Sequence, residues 1–322
     1  MQTDKTKEAA VFPHPRRFTV IIANPTAGGY LFHAHHLDET LAFLSQHGWS
    51  AELWFTRAPG DARRLAHEAV VQKADMVIAA GGDGTINEII QELAGSETAL
   101  GVLPNGTVNV WAREMGIPLD HFGARDVLVH GKTRSIDLGK VKDHYFLLMA
   151  GIGFDGEVTN AVEKKPIKRL GVLGYLLVGT WLGLGYPHFH AYLRLDGNVV
   201  KSRALQIIIG NTQLWGGALK FTWQAKCDDG LLDVCIVRKQ SMLGRFAVAI
   251  DFLLRREKRR QWVHYYTCSS IEVRTRQPVA IQIDGDPADY TPADYMPITV
   301  SIVPRALKVV VPQKAPEGIF LE

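Results

Sequence analysis

From about Arg17 to Gly139 the chain alternates short apolar runs with helix-like patterns. "FTVIIANP" is an apolar run that ends in a turn. "HHLDETLAFLSQHG" then sets Leu37, Leu41 and Leu44 at helical spacing and closes on Gly48, a C-cap residue. "SAELWFT", "DMVIAA" and "LGVLP" read as further strands; "DARRLAHEAVVQKA", "TINEIIQELAG" and "TVNVWAREMG" read as the helices after them. Few folds accept such a series. It calls for a mostly parallel sheet covered by helices.

The second half is different. "FHAYLRLDGNVV" reads as a hairpin on an Asp-Gly turn. "LQIIIGN", "LLDVCIVR", "SIEVRT", "VAIQID", "ITVSIV" and "ALKVVVP" read as strands, interrupted by one long helix, "MLGRFAVAIDFLLRREKRR". Short strands separated by turn signals indicate a β-sandwich-type second domain or a barrel. Both ends, roughly 1–15 and 313–322, are expected to be loose.

The most concentrated signal is "GGDGTINE", residues 81–88. Ile86, Ile89, Ile90 and Leu93 form one apolar helix face. Thr85 and Glu88 fit a T-x-x-E capping box, which sets the helix start at Thr85. Residues 81–84 are then a loop between a buried strand and a helix N-terminus. Such a loop offers unpaired N–H groups and the positive end of a helix dipole, and glycine lets a phosphate approach closely. An ordinary connection needs fewer glycines. No Lys-Ser/Thr follows, so this is not a P-loop, and the spacing is not GxGxxG. "LPNGTVNVWARE" (103–114) repeats the pattern, with Thr107 as cap and Asn109 two residues on. The two GTxN loops, at adjacent strand ends, could line one phosphate site at the carboxyl edge of the sheet.

A net charge of +3 gives no reason to expect a nucleic-acid partner. Basic residues cluster in "KKPIKR" (164–169) and "RREKRR" (255–260), each either a solvated face or a contact with anionic lipid. Cys227, Cys235 and Cys268 are odd in number and form no CxxC, which fits a reducing compartment. The opening 17 residues lack an apolar h-region, so no secretory signal is expected. "LGVLGYLLVGTWLGLGY" (170–186) is apolar but glycine-broken and shorter than the roughly 20 residues of a membrane span.

Across residues 18 to 312 the chain resembles the diacylglycerol kinase catalytic-domain family, in particular its soluble bacterial lipid kinases. The motifs that carry the resemblance are "NPTAGG" (24–29), "TRAPGDARRLA" (56–66), "GGDGTINE", "LPNGTVN", "GIGFDGEV" (151–158), "GNTQLWGGALKFTWQAKCDDGLLDV" (210–234) and "IDGDP" (283–287). GGDGT alone is shared with NAD kinases and phosphofructokinases.

The resemblance implies an α/β nucleotide-binding domain over 17–138, to which 303–322 return, and a β-rich lipid-substrate domain over 139–302. It implies ATP at Asn24, Thr56, Gly82, Asp83, Gly84, Thr85, Asn87, Glu88 and Thr107. Asp286 matches the proton acceptor for a lipid hydroxyl, with Asp284 beside it; many relatives carry Glu at the former position. Read without the resemblance, "QIDGDP" is a hairpin turn like that of "LDGNVV". A structural Mg²⁺ is implied at Asp229 and the backbone oxygens of Lys226 and Leu231. Where several relatives carry an Asp of a Mg²⁺ network this chain has Val110, leaving Asp83 and Asp137 to organise catalytic Mg²⁺.

The resemblance thus implies an ATP- and Mg²⁺-dependent lipid kinase, cytoplasmic or peripheral on the inner membrane surface. The alternatives are an NAD kinase or, given Val110, a catalytically weak lipid-binding regulatory protein. Segment 170–186 and the helix near 242–256 are either lipid-facing or core. The sequence leaves the oligomeric state open, a homodimer included.

Overall fold

The computed structural model describes residues 17–27, 30–163, 185–216, 219–254, 261–288, 292 and 297–321. The basic clusters at 164–169 and 255–260, most of the apolar segment 170–186, and the last two residues of "NPTAGG" lie outside the described residues.

The first domain is built on parallel strands. β1 (Arg17–Ala23) pairs with β2 (Trp49–Phe55) on one side and β3 (Met76–Gly81) on the other; β3 then pairs with β4 (Ala99–Pro104). The chain leaves β1 toward one edge and returns to its other side. This makes a switch point, and open α/β sheets bind ligands at the carboxyl ends of strands there. Helices α1 (Tyr30–Gln46), α2 (Asp61–Val71), α3 (Asp83–Leu93), α4 (Val110–Met115) and α5 (His121–His130) follow in chain order. All of β3 and β4 is buried, as expected for parallel strands covered on both faces.

The second domain is an antiparallel β-sandwich, reached through β5 (Lys132–Val141), β6 (His144–Phe146), β7 (Met149–Gly153) and α6 (Phe154–Glu163). Its long strand β9 (Asn198–Gly210) pairs first with β8 (Phe189–Leu195). Its later residues lie between β7 and β12 (Leu232–Arg238). The short β10 (Leu214–Trp215) and β11 (Leu219–Lys220) form a separate hairpin. Helix α7 (Met242–Leu253) precedes β13 (Val263–Cys268) and β14 (Ser270–Thr275). Then come β15 (Ile281–Ile283), β16 (Asp286–Pro287) and β17 (Ile298–Val311). Phe146, Ile152, Phe189, Ile207, Val234, Ile271 and Ile281 share its core.

Two expectations are corrected here. "ITVSIV" and "ALKVVVP" are one strand, β17, not two. It pairs antiparallel with β14 through 298–301 and parallel with β4 at Lys308 and Val309, so it joins the two domains into one hydrogen-bonded sheet. In place of a break at Pro304 there is an irregularity in the β17–β5 ladder, with Arg305 at φ 51. The N–H of Arg305 donates instead to Asp137 (2.7 Å). The second correction concerns the C-terminal stretch, which is not loose. Ile319 and Phe320 are buried, the Ile319 carbonyl accepts from the Cys227 N–H (2.9 Å), and the Leu321 N–H donates to Asp228 (2.6 Å).

Candidate active site

The carboxyl ends of β1, β2, β3 and β4 converge on a cavity of about 900 Å³. Asn24, Thr56, Gly82, Gly84, Thr85, Asn87, Glu88 and Thr107 all line it. Asn24 follows β1; its Oδ1 accepts from the N–H (2.9 Å) and Oγ1 (2.8 Å) of Thr26, and its Nδ2 donates to Thr85 Oγ1 (3.3 Å). Arg57, Arg63, Gln91 and His144 also line it.

The surplus glycine now has a division of labour. A Cβ on Gly81 would lie 2.5 Å from Thr85 Oγ1. The two loops touch backbone to backbone: a Cβ on Gly82 would lie 3.0 Å from the Gly106 Cα, and one on Gly106 2.5 Å from the Gly82 Cα. Packing therefore explains Gly81, Gly82 and Gly106. At Gly84 a Cβ would meet nothing within 4 Å, and the residue borders the cavity. It keeps the approach to the α3 N-terminus open.

The capping box does not form. α3 starts at Asp83, and Gly82 is its N-cap with no side-chain cap. Glu88 caps the neighbouring helix instead, accepting from the N–H groups of Gly60 (2.9 Å) and Ala62 (3.0 Å) at the start of α2. Nor is Thr107 a cap: Asn109, at φ 53, is the N-cap of α4. The free N–H groups of that helix go to Asp83, whose Oδ2 accepts from Val110 (3.0 Å) and Oδ1 from Trp111 (3.1 Å). Burial pushes Asp83 above the usual carboxylate range while these N–H donors pull it back. So Asp83, expected to organise a metal, is the clamp between the two loops. It lies outside the larger cavity and borders a smaller one.

The two GTxN segments also differ. Asn109 closes its own loop, accepting from the Gly106 N–H (2.8 Å) and donating to the Gly106 carbonyl (2.9 Å). Asn87 lies inside α3, where its Oδ1 faces Gln91 Nε2 (3.1 Å) and His144 Nε2 (3.1 Å). Burial, then Arg63, holds His144 below the usual imidazole range. No sequence signal marked His144 or Gln91, because β6 carries His144 to α3 from 57 residues away.

The smaller cavity, about 250 Å³, opens between the domains. Val108, Val110, Leu148, Met149, Leu214 and Trp215 give it apolar walls. Gly84, Thr107 and Asp286 line both cavities. Asp286 sits on an Asp-Gly hairpin, with Ile283 paired to Asp286 across Asp284 (φ 50) and Gly285 (φ 90), a type I′ turn. The Asp284 carboxylate accepts from the N–H groups of Leu147 (2.7 Å), Leu148 (2.8 Å) and Met149 (2.9 Å). Burial pushes Asp284 up to about 7 against those donors, and Asp286 pushes in the same direction.

The expected metal residues lie apart from both cavities. The Asp137 Oδ2 accepts from the Gly230 N–H (2.6 Å), and Asp229 accepts from the Leu231 N–H (3.0 Å). Burial raises Asp229, and Asp137 and Asp228 raise it further. This concentration of negative charge around a turn fits a hard divalent cation held by Asp229 and by carbonyl oxygens such as those of Lys226 and Leu231. Among the described residues no three His, Cys, Asp or Glu side chains are arranged to hold a metal by themselves. Asp137 belongs to this turn and to the β17 irregularity, not to the Asp83 clamp.

Comparison with known proteins is decisive about the family. Residues 18–141 match the diacylglycerol kinase catalytic domain, and 149–311 match the YegS C-terminal NAD kinase beta sandwich-like domain. The diacylglycerol kinase of Bacillus subtilis (strain 168) is 31% identical over 302 residues, 93% of this chain and 98% of that one. The chain belongs to the diacylglycerol kinase family. A diacylglycerol kinase of Staphylococcus aureus (strain JH9) is 31% identical over 287 residues, 87% of this chain and 90% of its own. The crystal structure of a diacylglycerol kinase from Bacillus anthracis str. Sterne superposes with a TM-score of 0.76 at 25% identity, covering 92% of this chain and 97% of that one. This member of the diacylglycerol kinase family has the two-domain architecture expected from its motifs. No helix among the described residues is long and apolar enough to cross a membrane.

Proposed function

We propose that the protein transfers the γ-phosphoryl group of ATP to the hydroxyl of a lipid, diacylglycerol or a related one. One observation carries this reading: a large cavity at the strand ends, walled in part by Arg57, Arg63 and two glycine-rich loops, and a smaller one between the domains share Gly84, Thr107 and Asp286. The nucleotide occupies the larger cavity, with its phosphates toward the α3 N-terminus and the guanidinium groups of Arg57 and Arg63. The lipid hydroxyl enters from the smaller one. The nucleotide half is then 17–138 with 303–322, and the acceptor half 139–302.

Asp286 accepts the hydroxyl proton as the lipid oxygen attacks the γ-phosphorus. The bond from that phosphorus to the bridging oxygen breaks, and ADP leaves. The transition state is loose, so alignment matters more than base strength, and the shorter Asp serves where relatives carry Glu. Asp83 contributes by fixing one phosphate loop against the other. Asp229, with the carbonyl oxygens of Lys226 and Leu231, would hold a structural Mg²⁺. Mg²⁺ on the nucleotide would offset charge on the phosphates. Val110 supports the lipid reading, since its side chain adds apolar wall to the acceptor cavity.

The test is labelled ATP with Mg²⁺ and vesicles carrying diacylglycerol, monoacylglycerol, sphingoid base, ceramide or phosphatidylglycerol, with NAD⁺ in parallel. Label in a lipid is expected. Label only in NADP⁺, or in nothing despite lipid binding, overturns the proposal.

A further inference from the structure

Asp155, in "GIGFDGEV", has no part in the mechanism above, yet it is an acid only 3% exposed. Burial pushes it up to about 6, against the two hydrogen bonds it accepts. Buried carboxylates need partners, and here the partners lead to the reacting groups. The Trp215 Nε1–H donates to Asp155 Oδ1 (2.8 Å), and the Gln282 Nε2–H donates to Asp155 Oδ2 (2.7 Å). The Gln282 Oε1 in turn accepts from the Gly285 N–H (2.6 Å). Gln282 is 1% exposed, so water does not compete for this amide. Gly151 makes the approach possible, because a Cβ there would overlap the Asp155 carboxylate.

We propose that Asp155 is a positioning residue for phosphoryl transfer, one that fixes the 284–286 turn through Gln282 and the acceptor-cavity wall through Trp215. This rests on the lipid-kinase reading. Hydrogen-bond polarity is what singles out a carboxylate here. Both groups facing Asp155 are donors, and only a carboxylate accepts from both at once. That fixes the Gln282 amide with its NH₂ toward Asp155 and its oxygen toward Gly285. An amide at position 155 would set a donor against a donor. Gln282 would then turn over and present its NH₂ to the Gly285 N–H, freeing the turn that carries Asp286. Trp215 gives the same residue a hold on the lipid side, so acceptor wall and proton acceptor are fixed from one point.

The polarity can be reversed without changing shape. In the double variant Asp155→Asn with Gln282→Glu, the new amide at 155 would accept from Trp215 and donate to the new carboxylate at 282, which would accept from Gly285. Each single variant should lower kcat for lipid phosphorylation about 10- to 100-fold, with ATP affinity within about threefold of wild type. The double variant should recover to within about fivefold. Hydrogen exchange at the Gly285 amide should follow the same order: protected in wild type, fast in the singles, protected again in the double.

Two further variants cover the case of singles that do not fold. Trp215→Phe should raise KM for the lipid more than it lowers kcat. Gln282→Met, which keeps length but removes the acceptor for Gly285, should lower kcat more than it raises KM. Singles as fast as an active wild type overturn the assignment. So does a double variant that regains Gly285 protection but is no faster than the slower single. Both of those results leave the kinase reading standing. A wild type that phosphorylates none of the lipids overturns the kinase reading and the positioning role together.

Discussion

The second domain contains two Asp-Gly hairpins that begin alike and end differently. Asp196 and Gly197 have φ 45 and 91; Asp284 and Gly285 have φ 50 and 90. Both aspartates reach out of the turn to collect backbone N–H groups, from Ser269 (2.9 Å) and Ser270 (2.9 Å) in one case and from 147–149 in the other. Their surroundings differ. Hydrogen bonds from Ser269, its backbone first, hold Asp196 below the usual carboxylate range. Burial raises Asp284 to about 7. Past the glycine stands Asn198, exposed, in one hairpin and Asp286, facing both cavities, in the other. Turn chemistry thus sets backbone shape, and location decides whether that shape has a use.

The sharpest way to break the comparison is at the residue after the glycine. Asp286→Ala should lower kcat by about 10²- to 10⁴-fold while ATP binding, followed by calorimetry, stays within a few-fold. Asn198→Ala should leave turnover unchanged. Loss of ATP binding together with turnover would place Asp286 in the nucleotide site rather than between the two sites.

Next in size is the anchor. Asp284→Ala strands the N–H groups of Leu147, Leu148 and Met149, and urea unfolding should show a loss of about 2–4 kcal/mol. Asp196→Ala should cost less, since water reaches its partners.

The pH dependence of stability should have opposite signs in the two hairpins. Asp284 is raised in the fold, so its contribution is full below the unfolded value near 3.8 and is lost as pH rises through about 7. Asp196 is lowered, so its contribution is present above 3.8 and is lost as pH falls through its folded value. Melting temperatures from pH 3 to 8, each protein against its Asp→Asn variant, test this. Parallel slopes would show that the two carboxylates share one environment.

The smallest effects belong to the glycines. Gly285→Ala and Gly197→Ala each force a positive φ on alanine and should cost about 1 kcal/mol. Only Gly285→Ala should also slow transfer, because only that turn carries an acid of the site.

Much of this was legible in the sequence. The βα alternation pointed to the parallel sheet, since apolar period and turn residues are local properties. The Asp-Gly pairs pointed to hairpins for the same reason, and the motif residues at four strand ends fell around one cavity. What failed was partner choice. Thr85 and Glu88 have capping-box spacing, yet Glu88 lies beside the start of α2 and caps that helix. "ITVSIV" and "ALKVVVP" read as two strands, yet Asp137 takes the stray N–H of Arg305 between them and β17 runs on. The β17 crossing that joins the two domains left no local mark at all.

By itself, the sequence determined most of the strands, helices and turns and which glycines cluster, because backbone geometry depends largely on neighbouring residues. Only the tertiary structure decided what each acid does. Asp83 clamps two loops, Asp155 faces two donors, Asp284 anchors a turn on N–H groups up to 137 residues away, and Asp286 stands where two cavities meet. A carboxylate's role follows from its burial and its hydrogen-bond partners, and those come from segments that only folding brings together.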